Sequence, residues 1–141
     1  MCVSPDGEGE VTKTHLKWTV AQIPEGLSSA VIVSDSPEPG ARARVYRTHN
    51  PDILKCFDLA TGELVYAGRL PGVSTWASPI VTPDGRLYFA SAGRSYVVRA
   101  GPKFEVLAVN EIGEDNRASA AVAGGRIFLR GNKSLYCIGN P

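Results

Sequence analysis

Apolar and polar residues alternate over short runs along the whole chain, and Gly, Pro or Asp closes most of these runs. Period-two alternation of this length predicts half-buried strands, not helices. The runs also recur in a constant order. Three segments open with small residues and continue into a β run: Ser28-Ser29-Ala30-Val31-Ile32-Val33, Trp76-Ala77-Ser78-Pro79-Ile80-Val81 and Ala118-Ser119-Ala120-Ala121-Val122. A turn and a second run follow each: Arg44-Val45-Tyr46, Arg86-Leu87-Tyr88-Phe89 and Arg126-Ile127-Phe128-Leu129. Thr82-Pro83-Asp84-Gly85 and Gly124-Gly125 carry hairpin-turn residues. The third runs are Ile53–Phe57, Ser95–Val98 and Ser134–Ile138; a fourth appears at Glu63–Ala67 and Phe104–Val109.

A further copy of the fourth run stands near the start, at Leu16–Val20. Trp18, Tyr66 and Ala108 occupy the same place in their runs and lie 48 and 42 residues apart. The longer first unit is accounted for by the Pro-rich segment Ser34–Ala41, which cannot join a ladder and is expected to be a surface loop. The pattern predicts twelve strands, grouped one, four, four and three. Four short strands per unit of this length is the period of a propeller blade. The fold class expected is therefore all-β, with about three four-stranded antiparallel blades. The first strand of each blade is expected to contain Ala30, Ala77 or Ala120, because only small side chains fit where blades crowd around an axis. A β-sandwich is the alternative, but it does not call for recurrence in register.

The stretch Cys56-Phe57-Asp58-Leu59-Ala60-Thr61-Gly62-Glu63-Leu64-Val65-Tyr66 resembles the repeat of quinoprotein-type (PQQ-like) β-propellers. Asp58, Thr61 and Gly62 stand at that repeat's turn, and Tyr66 stands where it usually has Trp. Asp58 can accept hydrogen bonds from the turn, and Gly62 can take the left-handed conformation of its corner. The resemblance implies that Tyr66 docks against the next blade and that Trp18 matches the same docking position. The second unit departs from the motif, with Ala100-Gly101-Pro102-Lys103-Phe104 at its corner and Ala108 at the docking position, and the third unit stops before its fourth strand. The Ala-Ser-Pro opening and the closing Leu135–Gly139 also resemble the ends of such bacterial propellers. The family holds both quinone dehydrogenases and non-enzymatic periplasmic scaffolds, and a fold does not choose between them. The resemblance implies a periplasmic or extracytoplasmic setting.

The 141 residues are 43% hydrophobic and 21% charged, with a formal net charge of +1. A core can be built, no apolar run approaches a membrane span, and no charge excess points to nucleic acid. Residues 1–10 lack the basic start and apolar stretch of a secretory signal. Residues 1–13, rich in Gly and acid, are expected to be disordered, and residues 14–141 to form the blades. Cys2, Cys56 and Cys137 have no metal-ligand spacing. Cys56 and Cys137 lie in apolar runs and are expected to be buried free thiols.

Catalytic chemistry has little to work with. There is no nucleophile elbow, phosphate loop or dinucleotide fingerprint. His49 and Asp52 supply two ligands where a metal site needs three or four; an exposed turn explains them more simply. Arg42, Arg44 and Arg47 are read as one solvated strand face, and Tyr46, Tyr88, Phe89, Phe128 and Tyr136 as packing between blades. No catalytic, cofactor or metal residues are assigned. In a propeller the blade-to-blade connectors and the loops between second and third strands share one end, and rigidly held loops are where binding concentrates. That end would carry His49, Asp52, Trp76, Arg94, Asn116, Arg117 and Lys133, with Glu25 and Thr75 beside them.

The function expected is a non-enzymatic binding or scaffolding module for a protein partner, without a cofactor. The alternatives are part of a PQQ-dependent dehydrogenase, which would need a Ca²⁺ site and a cationic clamp, and a sugar-binding propeller, which would need exposed aromatics on the loop end. Three blades are fewer than a closed propeller has. Either a homodimer closes six blades by exchanging the spare strand Leu16–Val20, or the chain is the C-terminal part of a larger propeller.

Overall fold

The computed structural model describes residues 1–20, 27–73 and 76–139. Among them are thirteen strands and no helix: β1 (Cys2–Val3), β2 (Leu16–Trp18), β3 (Val31–Ser34), β4 (Ala43–His49), β5 (Ile53–Asp58), β6 (Leu64–Arg69), β7 (Ile80–Val81), β8 (Arg86–Ala90), β9 (Ala92–Arg99), β10 (Val106–Asp115), β11 (Ala121–Ala123), β12 (Arg126–Arg130) and β13 (Leu135–Ile138). They form two four-stranded sheets, β3-β4-β5-β6 and β7-β8-β9-β10, a three-stranded sheet β11-β12-β13 and the pair β1-β2. Every pairing is antiparallel. The chain is thus all-β and built from blade-like sheets. Their order of four, four and three is the one the repeat predicts. The additional strand is β1, which lies within residues 1–13 and pairs with β2.

The sheets are held together through their faces. In an antiparallel pair, directly opposed residues share a face. Tyr46 is opposite Cys56 in the first sheet, and Leu54 lies two residues from Cys56 on the same side. All three are completely buried. They pack against Leu87, Phe89, Tyr96 and Val98, one face of the second sheet, in a single core. The opposite face of the second sheet carries Tyr88 and Val97. With Ile127, Leu129 and Ile138 of the third sheet, Tyr88 borders a mostly apolar space of about 230 Å³. The third sheet's far side carries Phe128, Cys137 and Leu135. These three are the counterparts of Tyr46, Cys56 and Leu54, yet Leu135 is 71% exposed and Cys137 is exposed. The expectation of a buried Cys137 is corrected for this reason: no described sheet covers that face.

Two further expectations are corrected. Ala30, Ala77 and Ala120 precede the first strands instead of lying in them, since β3, β7 and β11 begin at Val31, Ile80 and Ala121. The small-residue segments bond between sheets. Ser29 N–H donates to Ser78 Oγ, and Ser78 N–H donates to Ser119 Oγ, each at 2.9 Å. Pro79, without an N–H, cannot extend β7 backwards. The three arginines do not share a solvated face either. Arg42 bonds Asp58, and buried Arg44 pairs with Asp35; Arg47, an odd number of residues away, points to the other side.

The first sheet's corner follows the motif. Asp58 Oδ1 accepts from Ala60 N–H at 2.9 Å and Thr61 N–H at 3.2 Å, and Oδ2 accepts from Arg42 Nε at 2.8 Å. The Arg42 hydrogen bond first, then that of Thr61, hold the Asp58 carboxyl below its ordinary pKa. Gly62 has φ +76°, and the Trp18 ring lies so close that a Cβ there would come within 2.6 Å of it. Trp18 Nε1–H donates to Leu59 O at 2.8 Å. β2 is therefore docked on the first sheet at the position implied for a preceding blade's fourth strand. The second corner lacks the motif and is held by aromatics. Gly101 N–H donates to Tyr46 Oη at 2.9 Å, and the Tyr66 ring lies 5.9 Å from Phe104, which itself covers Gly68.

Gly62→Ala and Gly85→Ala separate backbone strain from docking. Both glycines have φ near +75°, but a Cβ at Gly85 meets nothing closer than 4.0 Å. Both variants should lose more than about 1 kcal/mol of stability. Gly62→Ala should lose more and should also red-shift Trp18 fluorescence, as measured by denaturant titration with Trp emission.

Candidate binding face

The connectors and the loops between second and third strands meet at one end, and backbone hydrogen bonds lock them together. In the connector after β6, Leu70 N–H donates to Asp52 O at 2.8 Å. Gly72 O accepts from Ala92 N–H at 3.0 Å and from Ser91 Oγ at 2.9 Å, while Tyr96 Oη donates to Pro71 O at 2.7 Å. This connector thus bonds both the blade it leaves and the one it enters. Glu114 does the same at the next junction. Its Oε2 accepts from Lys133 N–H at 2.6 Å and Ser134 N–H at 3.3 Å, and its Oε1 from Tyr136 Oη at 2.7 Å. The Tyr136 hydrogen bond first, then the Lys133 amide, bring the Glu114 carboxyl down to about 2.

The nominated residues divide into three groups. Trp76, Arg94, Arg117 and Lys133 are exposed. Arg94 Nε pairs with Glu111 and Arg117 Nε with Asp115, so both cations are held in place. Glu114 joins Lys133 to this group, because Glu114 and Asp115 are consecutive. Asp52 belongs to the first blade, where it faces Arg69 at 3.7 Å. His49 and Asn116 are not surface residues at all: they are 2% and 0% exposed. Glu25 and Thr75 lie outside the described residues.

His49 is the larger departure from expectation, since an exposed turn was expected. It ends β4 on the same side as Val45 and Arg47, and its ring meets Phe57 edge-on at 6.3 Å. It borders a space of about 130 Å³ that Met1, Trp18 and Val20 also line. Neither ring nitrogen has a hydrogen-bond partner among the described residues, and the same holds for the Asn116 amide. Burial first, then the charges of Lys55 and Arg47, lower the His49 pKa to about 4. His49 is therefore a neutral imidazole in the interior.

Glu114 and the serines that link the sheets were not singled out by sequence reasoning. A signal for Glu114 existed in the acidic run Glu111-Ile112-Gly113-Glu114-Asp115, and one for the serines in their common offset ahead of each β run. At the other end of the sheets an open groove of about 630 Å³ carries Asp35 and Asp84, but these acids already pair with Arg44 and Arg86. No group of three or more His, Cys, Asp or Glu capable of holding a metal ion occurs among the described residues. No helix there is long and apolar enough to cross a membrane.

This is a face of mixed-charge loops on propeller-type blades, and among the described residues it carries no group of three or more metal-ligating side chains. No protein-family model and no characterised protein sequence matches the chain. Among solved structures it is similar to the β-propeller BamB from Moraxella catarrhalis, with a TM-score of 0.53 and 14% identity. The match covers 65% of this chain and 28% of that one. The similarity is one of fold.

Two outcomes follow from these environments. A group that folding makes harder to protonate costs stability as pH falls below its unfolded pKa. For His49 that loss should develop from pH 6.5 down to about 4. Thermal melts should show a shallower pH slope in that window for His49→Gln than for the parent. The Glu114 contribution should persist above pH 4.5 and disappear as pH falls towards about 2. Glu114→Gln should speed hydrogen exchange at the Lys133 and Ser134 amides at neutral pH, read by NMR or mass spectrometry.

Proposed function

We propose that the chain is a non-enzymatic binding or scaffolding module of the PQQ-like propeller kind, and that its loop end engages a protein partner. The observation that carries this reading is the pairing of exposed, mixed-charge side chains along the loop end: Arg94 with Glu111 on the adjacent strand, Arg117 with Asp115 two residues before it, and the Lys133 backbone held by Glu114 of the preceding blade. Side chains fixed before contact lose less conformational entropy on binding, which favours recognition of a complementary surface. Trp76 adds an exposed apolar anchor, 61% accessible, of the kind that concentrates binding energy at interfaces. The fold similarity to BamB is compatible with such a role. The corner built by Asp58, Thr61 and Gly62, with Trp18 docked on it, supports the PQQ-like reading. The interior position of His49 and Asn116 narrows the proposed contact surface to Trp76, Arg94, Arg117 and Lys133.

A photo-crosslinking amino acid at position 76 or 133, with position 38 at the opposite end as the control, tests this in the source cell. Crosslinks to a discrete polypeptide from 76 and 133 but not from 38 are expected, and Arg94→Glu with Arg117→Glu should abolish them. Equal labelling from both ends would refute the loop face. Turnover of alcohols or sugars with added PQQ and Ca²⁺ would replace the reading with a dehydrogenase.

A further inference from the structure

The second and third sheets fill the space between them less completely than the first and second do. Between the first two, Leu54 and Phe89 are buried members of one core. The register of the sheets identifies their counterparts in the next interface. Leu54 is opposite Thr48 and stands two residues before Cys56; Ser95 is opposite Ala90 and stands two residues before Val97. Phe89 is opposite Tyr96, and Leu129 is opposite Tyr136. A serine therefore replaces a leucine, and a leucine replaces a phenylalanine. Both smaller residues line the mostly apolar space of about 230 Å³ that Tyr88, Ile127 and Ile138 also border. Interiors are close-packed, and a volume left empty at such a place costs stability.

We propose that this space is a binding site for a small phenol: a neutral molecule of one aromatic ring and one hydroxyl, with the ring between the second and third sheets and the hydroxyl at Ser95 and Asn110. The volume suits a ring with a substituent, because an apolar protein cavity of about 150 Å³ takes benzene. The ring supplies the volume that Leu54 and Phe89 supply in the first interface, and Tyr88, Ile127, Leu129 and Ile138 give it apolar walls. Ligand sites of this kind are mostly apolar, with a few polar groups that fix orientation.

The polar groups at the space select the ligand. Ser78 Oγ already accepts from Ser29 N–H at 2.9 Å. Glu111, the one lining residue with a formal charge, pairs with Arg94 at 2.8 Å. Ser95 and Asn110 are bound to each other only loosely. Ser95 is buried, Asn110 on β10 is exposed, and Asn110 Nδ2 donates to Ser95 Oγ at 3.4 Å, beyond the usual hydrogen-bond range. A hydroxyl both donates and accepts, so a phenol can take the Asn110 amide hydrogen and donate to Ser95 Oγ. With an ordinary pKa of about 10, a phenol is neutral at physiological pH, as a site whose formal charge is paired requires. This site lies between sheets, so it stands or falls independently of a protein partner at the loop end.

Titration of the full chain with p-cresol, followed by NMR of the side-chain methyl groups, tests the proposal, with toluene as the ligand that lacks the hydroxyl. Saturable shifts concentrated at Ile127, Leu129 and Ile138 are expected with p-cresol. Toluene should bind about tenfold more weakly, the worth of one buried hydrogen bond. Ser95→Ala keeps the space and removes the hydroxyl, so it should weaken p-cresol to the level of toluene and leave toluene unchanged. Ser95→Leu restores the side chain that the first sheet has at this place. It should abolish binding of both molecules and leave the thermal midpoint equal or higher. Methyl groups that stay unmoved at millimolar p-cresol would overturn the proposal. So would equal affinity for p-cresol and toluene, or p-cresol binding that both Ser95 variants leave intact.

Discussion

Each sheet of this protein has two apolar faces and can bury them only against other sheets. The rest of the structure depends on that constraint. A sandwich satisfies it with two layers; here it is met by stacking in series, so that Tyr46, Leu54 and Cys56 disappear under Leu87, Phe89, Tyr96 and Val98. The stacking also explains why equivalent residues have unequal fates. Cys56 and Cys137 stand at the same place in their units, but only Cys56 has a sheet ahead of it.

The stack is registered at three heights. Serines link the small-residue segments on the first-strand side. Corners are pinned by aromatics from the neighbouring blade, either with the hydrogen-bonded Asp58 turn, as at Trp18, or without that turn, as where Tyr66 meets Phe104 and Tyr46 meets Gly101. The connector after β6 crosses from the first blade to the second at the loop end and bonds to both. The second corner shows that the motif is not the only means of docking. Tyr46 Oη takes the Gly101 amide in place of a turn carboxylate, and burial, its largest influence, pushes the phenol pKa up to about 12. Tyr46 therefore stays a neutral hydroxyl that can both accept and donate.

The electrostatics of the loop end follow from the same arrangement. Glu114 ionises readily because three donors converge on it from the next blade, a geometry that exists only when the sheets are stacked. His49 is neutral for the opposite reason. It is enclosed by Trp18, Met1 and Phe57, with Arg47 and Lys55 nearby, and nothing in that setting favours a further positive charge. One group is thereby held charged and another held neutral, both at strand ends on the same side of the sheets.

The alternation of residues, the turn signals and the recurrence of four runs determined the secondary structure and its grouping. These are local properties, set by a period of two and by Gly and Pro chemistry, and they can be read without knowing what lies alongside. The Asp58–Gly62 corner was legible for the same reason, since its turn bonds lie within a few residues and only Arg42, Ala43 and Trp18 reach it from further away. Burial was not legible in that way. His49 and Asn116 were read as surface groups, and Cys137 as a core group, because each judgement depends on which sheet covers which face. The serine ladder and the Glu114 junction escaped notice likewise: Ser29 and Ser78 are 49 residues apart, Ser78 and Ser119 are 41 apart, and Glu114 reaches Lys133 across 19. The common offset of the serines marks a repeat, but it does not say that one repeat bonds the next. These contacts come into being when the sheets stack, and only the tertiary structure decides them.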